Sequence, residues 1–156
     1  AMFFSMKELF ANPLGFTDNL SNNIYKYPAL PPVAPSADGK APHSLGLLPA
    51  YQTSAGVTLN WLDFNQSWFS QDAHGAASYA IYRFNGREHH NICDFNDTQY
   101  LLTTVRHTDN ADGVLQTFVD TSAQPGQTYT YYVTALDRFN QESKPGDGQT
   151  ITVGTD

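Results

Sequence analysis

Hydrolytic chemistry would need paired carboxylates, one to give a proton and one to accept it or attack. The three glutamates, Glu8, Glu88 and Glu142, stand far apart in the chain. Asp94/Asp97 and Asp109/Asp112 are closely spaced, but in loops rich in Asn, Gly and Thr, where Asp routinely accepts hydrogen bonds from turn backbone. A transition-metal site would draw on His89, His90, Cys93 and Asp94. Adjacent strand residues point to opposite faces and no second ligand pair accompanies them, so solvated loop histidines are the expectation. Asp94–Gln99 (DFNDTQ) clusters the hard oxygens calcium takes, without the glycine and terminal Glu of the calcium-loop pattern. Cys93 has no cationic helix end beside it and reads as a small buried residue or an inert thiol. No catalytic residue, metal site or cofactor is expected.

The most informative polar loop is Asp63–Gly75 (DFNQSWFSQDAHG), which carries Phe64, Trp68 and Phe69. Aromatic rings beside Asn, Gln and Asp suit a glycan, the ring stacking on a pyranose while amides bond its hydroxyls. The same residues suit contact with a neighbouring domain, where Trp is also favoured. They equally suit simple capping of an open sandwich end. All three readings stand.

The elements that must position these residues are bounded by composition. The chain has 156 residues, 8 basic and 15 acidic, for a net charge of −7, with 40% apolar and 13% aromatic residues. That is long enough for a core and too apolar for disorder. No run approaches the roughly 18 apolar residues of a membrane helix. The basic field that holds nucleic-acid phosphates is missing. One cysteine allows no internal disulfide, so stability must come from packing. A weakly charged, Thr/Asn/Tyr-rich composition favours a secreted, periplasmic or cell-surface setting. Ala1–Phe10 lacks the basic start and cleavage site of a signal peptide. It begins inside an apolar pattern, and a piece of a longer polypeptide is expected.

Residues 1–27 read as helical fragments. Phe3, Met6, Leu9 and Phe10 share a face, Asn12-Pro13 and Gly15 break it, and a second turn starts at Thr17, whose hydroxyl is expected to cap it. Leu20 and Ile24 would form its buried side. Residues 28–44 carry five prolines from Pro28 to Pro42 and read as a strap docked on protein. From Leu45 the period becomes two. Val57, Leu59 and Trp61 share a face, as do Tyr79, Ile81 and Arg83, and Tyr129, Tyr131, Val133 and Ala135. These predict half-buried strands. Weaker strands at Leu45–Tyr51, Gln99–Val105, Thr117–Asp120 and Thr150–Val153 complete a mostly β, two-sheet antiparallel sandwich of about seven strands over 45–156.

The spacing of VTLNW ending at Trp61, Tyr79–Arg83 (YAIYR) and Pro125–Asp137 (PGQTYTYYVTALD) resembles a fibronectin type III domain, an immunoglobulin-like fold. The resemblance implies that Trp61 is the core tryptophan and that Tyr129 forms the tyrosine corner, its hydroxyl bonding backbone a few residues upstream. Val133–Gly146 (VTALDRFNQESKPG) is similar to such domains in bacterial polysaccharide-degrading enzymes. Phe3–Pro32 resembles the end of the catalytic barrel in a bacterial glycosyl-hydrolase-like family, family ten of that group, where a last helix and a strap lead into a C-terminal sandwich. The implied function is a non-catalytic accessory module that packs on or spaces an upstream catalytic barrel. A polysaccharide-binding module acting through Phe64, Trp68 and Phe69, and a protein-adhesion module, are the alternatives. The apolar residues of 3–10 are expected to fold back or to self-associate.

Overall fold

The structure is a computed structural model that describes residues 10–63, 75–87, 90–108 and 114–155. Its longest run of β-forming residues, Thr128–Leu136 (TYTYYVTAL), forms the longest strand, which we label β7. The others are β1 Gly46–Leu47, β2 Tyr51–Thr53, β3 Gly56–Leu62, β4 Ser78–Asn85, β5 Leu101–Arg106, β6 Leu115–Asp120 and β8 Gln149–Thr152. One antiparallel sheet has the order β5-β4-β7-β8. In the other, β3 is central, with β6 on one side and β1 and β2 on the other. The fold is the fibronectin III/immunoglobulin-like β-sandwich.

β1 and β2 are one edge strand broken at proline. Leu47 pairs with Trp61 but Tyr51 with Thr58, a one-residue slip across Pro49. Leu48 N–H still donates to Asn60 O at 2.8 Å. Proline has no N–H to give a ladder and is tolerated at such an edge. The eight strand segments therefore trace seven paths.

Val57, Leu59 and Trp61 from β3 meet Tyr79 and Ile81 from β4 and Tyr129, Tyr131 and Val133 from β7 in the core between the sheets. The Trp61 and Tyr79 rings cross edge to face, centroids 5.0 Å apart, and join one sheet to the other.

The half-buried pattern expected of β4 and β7 is corrected by the structure: both are buried on both faces over most of their length. A second apolar cluster of Ala80, Tyr82, Phe84, Leu101, Tyr132 and Leu136 occupies the outer face of their sheet. Its cover comes from Leu30 of the strap and from Phe95 and Tyr100, carried by two tight turns at Asp94–Asn96 and Thr98–Tyr100. Thr130 and Thr134, which look solvent-facing in sequence, are buried there. Thr130 Oγ1 satisfies its polarity on Gly86 O at 2.6 Å.

The strap lies on the sandwich. Ala34 N–H donates to Phe139 O at 2.8 Å, and Asn140 Nδ2 to Pro32 O at 3.1 Å. The turn that receives it is tied by Asp137, whose Oδ1 accepts from the N–H groups of Phe139 and Gln141, each at 2.8 Å.

The segment before the strap winds as Pro13–Gly15, Phe16–Asn19 and Leu20–Ile24, three short helical turns of different pitch. Two expectations fail there. Asn12, not Thr17, caps the start: Asn12 Oδ1 accepts from Thr17 N–H and its Nδ2 donates to Asp18 Oδ2, both at 2.8 Å. Thr17 is already the second residue of the Phe16–Asn19 turn, because Gly15 takes the left-handed conformation (φ 71°) and the helix starts directly after it. The side of Leu20 and Ile24 is not buried either, and Ile24 is 65% exposed, since nothing among the described residues lies over it. Residues 3–9 fall outside the described residues, and Phe10 is exposed. Among the described residues, no helix is long and apolar enough to cross a membrane.

Candidate functional site

Each end of the sandwich holds a polar network between the sheets. At one end, Arg83 follows Tyr79 and Ile81 on the inward face of β4, so its side chain enters the interior. Its Nη1 donates to Asp120 Oδ2 of β6 and to Ser122 Oγ, both at 2.8 Å. Tyr131 of β7 donates its hydroxyl to the same Asp120 oxygen at 2.8 Å. Ser122 closes the set, donating its N–H and hydroxyl to Asp120 Oδ1 at 2.9 and 2.7 Å. The guanidinium also lies over the Tyr129 ring, 4.8 Å from its centroid. Burial pushes the Asp120 carboxyl up, but the bonds from Ser122, Tyr131 and Arg83 outweigh it and hold its pKa below the ordinary value. Burial likewise pulls Arg83 down, and Asp120 more than restores it. The Tyr131 phenol is raised, first by burial and then by its bond to Asp120.

At the other end Tyr79 donates its hydroxyl to Asp63 Oδ2 at 2.6 Å. With that proton committed, His107 Nδ1, also 2.6 Å from the Tyr79 oxygen, is the donor of the second bond. Burial and then Asp63 raise the Tyr79 phenol. Asp63 opens the 63–75 loop, of which 64–74 lie outside the described residues, Phe64, Trp68 and Phe69 among them.

A third carboxylate, Glu142, sits against the outer face of the β4–β7 sheet. Its Oε1 accepts from Tyr82 at 2.7 Å and Thr134 at 2.6 Å. Each of these three carboxylates accepts from its own hydroxyl partners.

Of the residues singled out in the sequence, Trp61, Tyr79, Ile81, Tyr129, Tyr131 and Val133 all lie in the inner core. The Tyr129 hydroxyl accepts from Gln124 N–H at 3.3 Å, five residues upstream. Asp94 and Asp97 accept from the N–H groups of Asn91 and Gln99 at 2.9 and 3.1 Å, ordinary turn bonding. Among the described residues no group of three or more His, Cys, Asp or Glu is arranged to hold a metal. His90 departs from the solvated loop histidine expected: its ring stacks on Phe84 with centroids 3.7 Å apart. Cys93 is exposed, not buried. The Arg83–Asp120 network was not foreseen, although an arginine in step with Tyr79 and Ile81 was its signal.

The surface formed by the described residues carries several hollows. A cleft of about 340 Å³ lies between Tyr27–Pro28 and Arg83, Asn85 and Tyr100. A groove of about 360 Å³ runs along Leu14, Phe16, Leu20 and Ile24. The chain is 38% identical over 144 residues to a protein of Bacillus subtilis (strain 168) named glycosyl hydrolase YngK. The match covers 92% of this chain and 25% of that protein, so the chain spans about a quarter of the relative's length. Among solved structures, the twitchin kinase region from C. elegans aligns with TM-score 0.47 and 13% identity, over 74% of this chain and 17% of that one. No protein-family model matches.

Proposed function

We propose that this chain is the accessory, non-catalytic β-sandwich of a glycoside-hydrolase-like protein, holding and orienting a catalytic barrel that precedes it. The observation that carries the reading is the helical segment before the strap. Phe10, Leu14, Ile24 and Tyr25 are 82%, 108%, 65% and 73% exposed, an apolar density that normally meets a protein surface. The match to a quarter of a larger protein named as a glycosyl hydrolase supports the same reading. The strap, bonded to the Asp137–Gln141 turn, would carry that face on a short and stiff connection. A secreted or envelope setting is part of this proposal.

The test is made in the longer protein. Leu14→Asp combined with Ile24→Asp should speed proteolysis within residues 28–42 and lower the barrel's unfolding temperature, while this chain alone unfolds as before. Unchanged cleavage and unfolding in the longer protein would rule the contact out.

A further inference from the structure

β5 accompanies β4 only as far as the Leu101–Tyr82 pair, after which the chain turns away through Thr98–Tyr100. The end of β4, from Arg83 to Asn85, is therefore paired with β7 on one side and open on the other. The cleft of about 340 Å³ lies on that open side and is lined also by Tyr27 and by Pro28 of the strap. Its volume lies at the lower end of the range of small-molecule pockets.

The donors in it are fixed in advance. Arg83 spends only Nη1, on Asp120 and Ser122, and rests on the Tyr129 ring. Its Nε and Nη2 make no hydrogen bond among the described residues, and its side chain keeps 24% exposure. The Asn85 side chain, at the exposed end of the strand, has none either. Gln99 gives its Nε2 to Asp97 at 2.6 Å and keeps its carbonyl oxygen. Tyr27 and Tyr100 supply ring surface, and Tyr27 is 42% exposed. An anchored guanidinium, an unused amide and aromatic walls match vicinal hydroxyls and the apolar face of a sugar ring.

We infer that this cleft binds one unit of a neutral saccharide, Arg83 and Asn85 bonding its hydroxyls and Tyr27 packing on its ring. A carboxylated sugar is disfavoured, because Asp120 already neutralises Arg83 and the chain carries a net charge of −7. The described lining of the cleft belongs to this chain, so it is tested on this chain alone.

The experiment is a titration of the ¹⁵N-labelled chain with neutral gluco-, manno-, galacto-, xylo- and chito-trisaccharides, with trigalacturonate as the acidic arm. The expected result is saturable shifts of Arg83 Nε–H, the Asn85 side-chain amide and the Tyr27 and Leu101 backbone with at least one neutral sugar. Asn85→Ala and Tyr27→Ala, both at the surface, should each weaken that affinity by about two- to tenfold. The inference is overturned by the absence of saturable shifts across the neutral panel, by shifts elsewhere that survive Tyr27→Ala, or by equal or tighter binding of trigalacturonate.

Discussion

Arg83 Nη1 and Asp120 Oδ2 lie 2.8 Å apart although the two residues belong to opposite sheets. The pair ties β4 to β6 at one end of the sandwich, as the Trp61–Tyr79 contact ties the layers in the core. Asp120 is 2% exposed, so its charge depends on the partners it has. Removing one member of such a pair leaves a buried charge uncompensated, which costs far more than the pair contributes in net terms. Arg83→Met is expected to destabilise the chain by about 3 kcal/mol or more, and Arg83→Met with Asp120→Leu by much less than the sum of the single changes. Urea denaturation of the four proteins of this cycle measures it. Additive effects would mean that the two residues act separately.

Acid should act through the same carboxylate. The pKa of Asp120 in the folded protein lies below its ordinary 3.8. A carboxyl depressed on folding contributes stability above the unfolded value, and that contribution disappears as pH falls through the folded value. Stability measured by thermal melting is therefore expected to fall below about pH 4, where the unfolded chain begins to bind the proton first. Asp120→Asn should start from lower stability and show a flatter acid limb.

The alkaline side has the opposite sign. Tyr79, Tyr82 and Tyr131 are held above the ordinary phenol value of 10.0, first by burial and then by bonds to Asp63, Glu142 and Asp120. A group raised on folding gives stability that is complete below its unfolded value and lost as pH climbs beyond it. Of the nine tyrosines in the chain, these three should stay un-ionised in an ultraviolet titration until the protein unfolds. Ionisation of all nine in one reversible step near pH 10, with circular dichroism unchanged, would contradict the network.

These features differ in how far the sequence disclosed them. Period-two alternation located β3, β4 and β7, because β-branched and aromatic residues fall in step on the inward face. It also put Arg83 on that face. Asp120, its partner, closes a short strand whose own pattern is weak, and only sheet stacking brings the two together. The covered outer face was hidden for a different reason. Thr130, Tyr132 and Thr134 look polar, and their cover comes from Leu30 and Phe95, distant residues in segments without regular periodicity. The cleft is likewise assembled from the strap, the end of β4 and the turn before β5, so its residues share no local pattern.

Phe95 tests whether the outer cluster stabilises the sandwich or merely decorates it. Its ring meets Tyr82, Phe84 and Tyr132 edge to face at centroid distances of 5.0, 5.3 and 5.1 Å. Phe95→Ala is expected to cost about 2–3 kcal/mol, below the fully buried range because Phe95 is only half-buried. A change under about 0.5 kcal/mol, the range of ordinary surface substitutions, would show that the outer face is not a core.

Gly56 joins backbone geometry to the Arg83–Asp120 pair. It opens β3 with φ of 138°, a conformation side chains resist, and a Cβ placed there would strike the carbonyl oxygen of Asp120. That close approach sets the end of β6, and with it the position from which the Asp120 carboxylate reaches Arg83 and Tyr131. Gly56→Ala must therefore both strain its own backbone and push β6 away, and neither shift is cheap in a paired strand. A loss of about 2 kcal/mol or more is expected, well above an ordinary surface substitution. It should come with an earlier ionisation of Tyr131 in the alkaline titration, as the carboxylate moves off its hydroxyl. Loss of stability with Tyr131 unchanged would separate the glycine from the network, and no loss at all would mean that β6 is not held by this contact.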